Sequence, residues 1–275
     1  MTKKTIHIHA LSDSTGETVQ GLVRAVSVQF KNTQQHNWTL VKTPDQIQQV
    51  IDILDKNCVV IYTMVNKELI SILQNGCKSK GISCISPMRE LRRSVHKIGG
   101  IKKNDFQTGQ QHTMDEEYFN RVDALNFVVQ QDDGQNPENL LQSDVIILGV
   151  SRTSKSPTSI YLANKGIMVS NVPFVNGIGL PNILDNVPNN GPMVVGLTRD
   201  AESLVDIRRS RLQSLSADEH SDYVNIEKVG EEIIALKRKC SLYGWPIINV
   251  SKKSIEETAT QIIKYMERHN AKQNG

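Results

Sequence analysis

Apolar positions in the first 85 residues alternate between two periods. Ile6, Ile8 and the Ala10–Leu11 pair recur at every second residue, which predicts a strand. Residues 16–30 then space their apolar side chains three and four apart, which predicts an amphipathic helix. A short strand at 38–41 follows, then a helix at 44–54 that Thr43 opens with Gln46 three residues on. A buried strand at 59–64, a helix at 67–78 and a strand at 82–85 complete the stretch. Strands separated by helices of this length imply a parallel sheet.

Residues 87–113 break the pattern with Arg89, Arg92, Arg93, Lys97, Lys102, Lys103 and the adjacent Gly99 and Gly100, and read as a linker or mobile loop. Helical spacing returns at 115–129, with Tyr118, Val122, Leu125 and Val129 on one predicted face. A second α/β series then shows strands at 145–148, 167–172, 193–197 and 246–250. Its helices begin at Pro157 and run over 201–212 and 223–243; a Ser254/Glu257 capping box opens the last, which extends to about His269. Residues 173–191 are rich in Pro, Gly and Asn and read as a long loop near the strand ends. The expected fold class is α/β with two parallel-sheet lobes. They are an N-terminal α/β domain at 1–86, a linker at 87–114 and a C-terminal domain at 115–275 with a P-loop-like nucleotide site.

Composition narrows the function classes. A content of 38% hydrophobic and 22% charged residues suits an ordinary globular protein, and a net charge of +3 is too small to argue for nucleic acid. No apolar run approaches the roughly 18 residues that a membrane span needs. The N-terminus lacks the apolar core of a signal peptide. Cys58, Cys77, Cys84 and Cys240 show no CxxC spacing and read as reduced, mostly buried thiols. A cytoplasmic location is expected.

Candidate chemistry centres on residues 144–166. A four-residue apolar run ends at Gly149, a hydroxyl-rich loop carries Arg152 and Lys155, and Pro157 enters a helix. Strand, phosphate-sized loop and helix N-terminus are the parts of an oxyanion cradle. Gly149 and the Lys155–Ser156 pair match G-x-x-x-x-G-K-[ST], except that Ser154 replaces the second glycine, so a differently shaped loop is expected. The nucleotide-binding candidates are Gly149, Val150, Ser151, Arg152, Thr153, Ser154, Lys155 and Ser156; the bland alternative is a solvated turn. Asp13, Ser14 and Thr15 follow the first strand and read either as a ligand-binding loop or as helix caps. Asp132-Asp133-Gly134 could hold a metal or accept a proton, or could be a plain turn. Arg208, Arg209 and Arg211 could grip phosphate or line a solvated helix face. His112 could approach a phosphate, whereas His7, His9 and His220 show no metal-ligand spacing.

Several segments in order are similar to one family: 12–18 (Ser-Asp-Ser-Thr-Gly-Glu-Thr), 112–121, Asp132-Asp-Gly, 149–166, Asn171-Val-Pro, Gly196-Leu-Thr, 207–212 and 254–259. The chain resembles the pyruvate, phosphate dikinase regulatory protein family, the bifunctional kinase and phosphorylase group that also contains the phosphoenolpyruvate synthase regulators. Thr153–Ser154 is more similar to the dikinase branch. The resemblance implies ADP-dependent transfer of a phosphoryl group to a threonine of the dikinase, and phosphate-dependent removal that releases pyrophosphate. It implies ADP and inorganic phosphate as co-substrates, Lys155 and Arg152 as charge neutralisers, Asp132 or Asp133 as proton acceptor or metal positioner, and Asp13 and Ser14 as orienting groups. It leaves room for Mg2+ and for a homodimer, and implies neither nucleic acid nor membrane as partner. The rival readings are the same chemistry on the synthase, a small-molecule P-loop kinase or NTPase, and a nucleotide sensor without catalysis.

Overall fold

Alternating and doubly apolar strands settle into two separate all-parallel sheets. The computed structural model describes residues 4–99, 116–188, 190–215 and 222–273. The chain divides into two units, residues 1–113 and 114–275.

The first unit runs β1 (Ile6–Leu11), α1 (Glu17–Ser27), β2 (Thr33–Trp38), α2 (Pro44–Ile53), β3 (Cys58–Tyr62), α3 (Lys67–Lys80), β4 (Ser83–Ile85) and α4 (Pro87–Gly99). Its sheet order is β2-β1-β3-β4. Leu11, Val60 and Tyr62 face Ile47 and Val50 of α2 and Leu69 and Leu73 of α3, while Ala10 turns to Val19 and Val23 of α1. The Thr43/Gln46 capping box opens α2 as its sequence requires.

Two expectations are corrected here. The second strand is Thr33–Trp38, upstream of 38–41, because its Gln, His and Asn residues carry no apolar alternation to find. That polar strand lies at the sheet edge, where one flank needs no apolar partner. There Trp38 Nε1 donates to His9 Nδ1 at 3.2 Å, and the His9 and His36 rings stack at 4.6 Å. Burial, followed by the neighbouring His36 and His7, lowers the pKa of His9 to about 4. The segment read as a linker is helical over Pro87–Gly99. Met88, Leu91, Val95 and Ile98 fall three, four and three apart, and all four are exposed.

The second unit holds α5 (Glu116–Gln130), β5 (Val145–Gly149), α6 (Lys155–Ala163), β6 (Val169–Pro173), β7 (Met193–Thr198), α7 (Ala201–Ser214), α8 (Ile226–Leu242), β8 (Ile247–Asn249) and α9 (Ile255–Gln273). Its order, β6-β5-β7-β8, repeats the connectivity of the first sheet. β5 is buried throughout, which explains its unbroken apolar run. Ile146 and Leu148 pack under Leu204 of α7 and Ile233 and Leu236 of α8. Val145 and Ile147 pack under Val128 of α5, Leu162 of α6 and Ile262 of α9. Each such side chain contributes about 1.5–3 kcal/mol relative to an exposed position. On α5 the buried residues are Ala124 and Val128, and Val129 of the expected face is 72% exposed. No helix among the described residues is long and apolar enough to cross a membrane.

This order places the sheet's reversal point between β5 and β7. Ligands of open parallel sheets bind outside the carboxyl ends of the strands at such a point. The turn leaving β5 therefore stands where a ligand is expected.

Candidate functional site

The turn begins at a residue that tolerates no side chain. A Cβ on Gly149 would lie 2.5 Å from Thr153 Oγ1, 3.0 Å from the Leu197 carbonyl of β7 and 3.3 Å from Lys155 Cδ. The Gly149 carbonyl accepts from the Phe174 N–H at 2.9 Å, which ties the turn to the chain leaving β6. Inside the turn, Thr153 Oγ1 donates to the Val150 carbonyl at 2.9 Å. Arg152 and Ser154 both take left-handed backbone angles, with φ of 72° and 63°. Ser154 thus stands in a left-handed conformation, which glycine adopts freely and a residue with a Cβ rarely does.

Lys155 opens α6 and is only 6% exposed. Its Nζ donates to the Val150 carbonyl at 3.4 Å, a long bond for a group with three donors. Burial pushes the amine below the usual lysine range; Asp133 and Asp132 oppose that shift, and Arg152 and Arg208 add to it. A desolvated ammonium with spare donors beside a helix N-terminus is receptive to an anion.

The two acidic residues differ in their surroundings. Asp132 Oδ1 accepts from Ser156 Oγ at 2.8 Å and from the Asn171 amide of β6. Asn171 Oδ1 in turn accepts the Asp133 N–H at 3.0 Å. Asp133 stands at φ 51°, its side chain exposed and its charge felt by Lys155. Asp132 is an anchored carboxylate, and Asp133 is the open one.

Arg208 was legible only as part of a basic cluster, and the structure separates that cluster. Arg209 makes an exposed pair with Asp206 at 3.7 Å, and Arg211 is exposed. Arg208 is 1% exposed and sends Nη2 to Glu232 Oε2 at 2.7 Å and to the Ser151 carbonyl at 3.3 Å. Its Nη1 donates to the Tyr223 carbonyl at 3.0 Å, and its guanidinium lies 4.5 Å over the Tyr223 ring. Tyr223 Oη and Ser151 Oγ share a hydrogen bond of 2.8 Å. The signal for this was present: Arg208 follows Leu204 and Val205 in the helical phase that faces the core. Tyr223, Glu232 and the anchoring role of Asn171 carried no comparable signal.

Asp13 belongs to the first unit, where it is buried and Oδ2 accepts the Val65 N–H at 2.7 Å. Ser14 donates its N–H to Ser12 Oγ at 3.1 Å, and Gly16, the N-cap of α1, makes no side-chain cap bond. His112 and His220 lie outside the described residues. Among the described residues, no group of three or more His, Cys, Asp or Glu side chains could hold a metal ion. Ser156 and Asp132 nevertheless offer the hard oxygens that suit Mg2+, which takes few protein ligands when it arrives on a phosphate.

A family profile described as kinase/pyrophosphorylase matches residues 8–263. A Paramagnetospirillum magneticum protein, provisionally named pyruvate, phosphate dikinase regulatory protein, is 43% identical over 269 residues, covering 97% of this chain and 86% of its own length. The protein of the same name from Rhodospirillum rubrum is 40% identical over 267 residues, covering 96% of each chain. That from Rhizobium meliloti is 40% identical over 268 residues, covering 95% of this chain and 96% of its own.

Proposed function

This chain belongs to the kinase/pyrophosphorylase family, and from that premise we propose that it regulates pyruvate, phosphate dikinase by reversible phosphorylation of a threonine. The dikinase comes from the names of its relatives. The single observation that favours phosphoryl handling at the turn after β5 is buried Lys155, held at 3.4 Å by one carbonyl at the start of α6.

In the forward direction the threonine hydroxyl attacks the β-phosphorus of ADP. The P–O bond to AMP breaks, and the hydroxyl proton passes to the Asp133 carboxylate. In the return direction an oxygen of inorganic phosphate attacks the phosphothreonine phosphorus, pyrophosphate forms, and the departing threonine oxygen takes a proton from Asp133. Lys155 and Arg152 neutralise the equatorial oxygens in both directions, so one cradle serves both reactions by positioning and charge. Asp133 has the base role because Asp132 is occupied by Ser156 and Asn171. Mg2+ carried with ADP would be held by Ser156 and Asp132 and would offset phosphate charge.

The test uses purified dikinase with ADP labelled in its β-phosphate, followed by unlabelled phosphate. Label should appear on a dikinase threonine and leave as pyrophosphate, and Lys155→Ala should abolish both steps. Turnover without a protein acceptor would instead indicate a small-molecule kinase or NTPase, and phosphate-dependent removal surviving in Lys155→Ala would require a second site.

A further inference from the structure

We propose that Arg208 is a positioning residue that fixes the Ser151–Arg152 peptide, so that the Arg152 N–H is presented to an anionic oxygen held by the turn. This rests on the reading of the turn as a phosphate cradle.

A guanidinium 1% exposed needs a reason to be buried. Among the described residues its one carboxylate partner, Glu232, is itself 23% exposed, and Arg208 Nε has no hydrogen-bond partner. Compensation is incomplete, and a buried ion pair of this kind is weak evidence of a stabilising role. What Arg208 does reach is the backbone of the turn and the residue that braces it. One nitrogen takes the Ser151 carbonyl and another the Tyr223 carbonyl, while the Tyr223 hydroxyl bonds Ser151 Oγ. Ser151 is thereby held at both its carbonyl and its side chain.

The consequence follows from peptide geometry. No described peptide bond is cis, and in a planar trans peptide the carbonyl and the following N–H point in opposite directions. Drawing the Ser151 carbonyl toward α7 turns the Arg152 N–H away from α7. The left-handed angle at Arg152, φ 72°, then carries the chain back into the turn. Without Arg208 the Ser151 carbonyl loses this partner, and the orientation of the peptide rests on the Ser151 side-chain brace alone. The guanidinium also lies close enough to Lys155 to disfavour that amine's charge. It therefore contributes positive potential behind the turn as well as geometry.

The experiment labels arginine selectively with 15N and follows the Arg152 amide during titration with inorganic phosphate and, separately, with ADP. In the unaltered protein both ligands should move that resonance downfield at saturation, as hydrogen bonding to an anion does. In Arg208→Lys, which keeps the charge but loses the planar fork, the shift should disappear and the Kd for both ligands should rise at least tenfold. KM for ADP and for phosphate should rise with it, while kcat changes by less than threefold. Tyr223→Phe removes only the hydroxyl brace and should give a smaller increase, of two- to fivefold.

A role confined to stability would lower the unfolding midpoint of Arg208→Lys and leave its Kd unchanged well below that midpoint, which would overturn the proposal. An Arg152 amide that does not move in phosphate-saturated unaltered protein would overturn it without any variant. Failure of phosphate and ADP to bind at all would remove the cradle reading itself, and the proposal with it.

Discussion

Ser154 is a residue in a conformation made for glycine, and replacing it tests the shape of the turn directly. Its angles, φ 63° and ψ 29°, lie in the left-handed region, and its side chain makes no capping bond to α6. A residue with a Cβ costs about 1–2 kcal/mol there. Ser154→Gly removes that cost, and among the described residues it loses no hydrogen bond from the hydroxyl. The greater freedom of glycine in the unfolded chain takes back about 0.4–1 kcal/mol. A net gain of about 0.5–1 kcal/mol remains, which raises the midpoint of a unit this size by about 1–4 °C. The chain has two tryptophans, Trp38 in the first unit and Trp245 in the second. In a Trp38→Phe background, Trp245 fluorescence reports on the second unit alone. A Trp245 transition that stays in place or falls in Ser154→Gly would refute the left-handed assignment.

Gly149→Ala should act in the opposite sense. Thr153 Oγ1 must leave a position 2.5 Å from the new Cβ, and the Leu197 carbonyl at 3.0 Å is backbone that cannot turn aside. Overpacking of this kind costs about 1–3 kcal/mol, read by urea denaturation, and phosphate affinity measured by calorimetry should drop at least tenfold; a variant with unaltered stability would show that the turn has more room. His9 should make the first unit acid-sensitive. Its native pKa of about 4 lies below the ordinary 6.5, so the unfolded chain binds more protons between those values. The contribution is complete above pH 6.5 and lost as pH falls toward 4, by about 3 kcal/mol in all. His9→Gln should flatten the fall in denaturation free energy followed by Trp38 fluorescence, and parallel curves for the two proteins would remove His9 as the cause.

Much of the fold was legible because burial on both faces leaves a plain trace. The run 145–148 reads as a central strand since neither face of β5 meets water. β2 is not visible in the sequence for the converse reason: Thr33–Trp38 holds its place by backbone pairing and histidine contacts, which leave no apolar period. α4 is masked in the sequence by its arginines and a glycine pair, which are loop-like in composition, although Met88, Leu91, Val95 and Ile98 carry the helical interval. At the site, the lysine and its turn could be found by spacing. The different surroundings of Asp132 and Asp133 could not, since they depend on Asn171 arriving from another strand. Arg208 was hidden by charged neighbours that share its composition and not its direction.

The contact of Asp132 with Ser156 and Asn171 joins a segment preceding β5 to the first turn of α6 across the carboxyl edge of the sheet. Strain arising where the anion sits would pass through these three polar side chains to the neighbouring Asp133, with no flexible tether between. If Asp133 accepts the proton as proposed, such a linkage would work like a bell crank and bring that carboxylate and the phosphoryl group into register together.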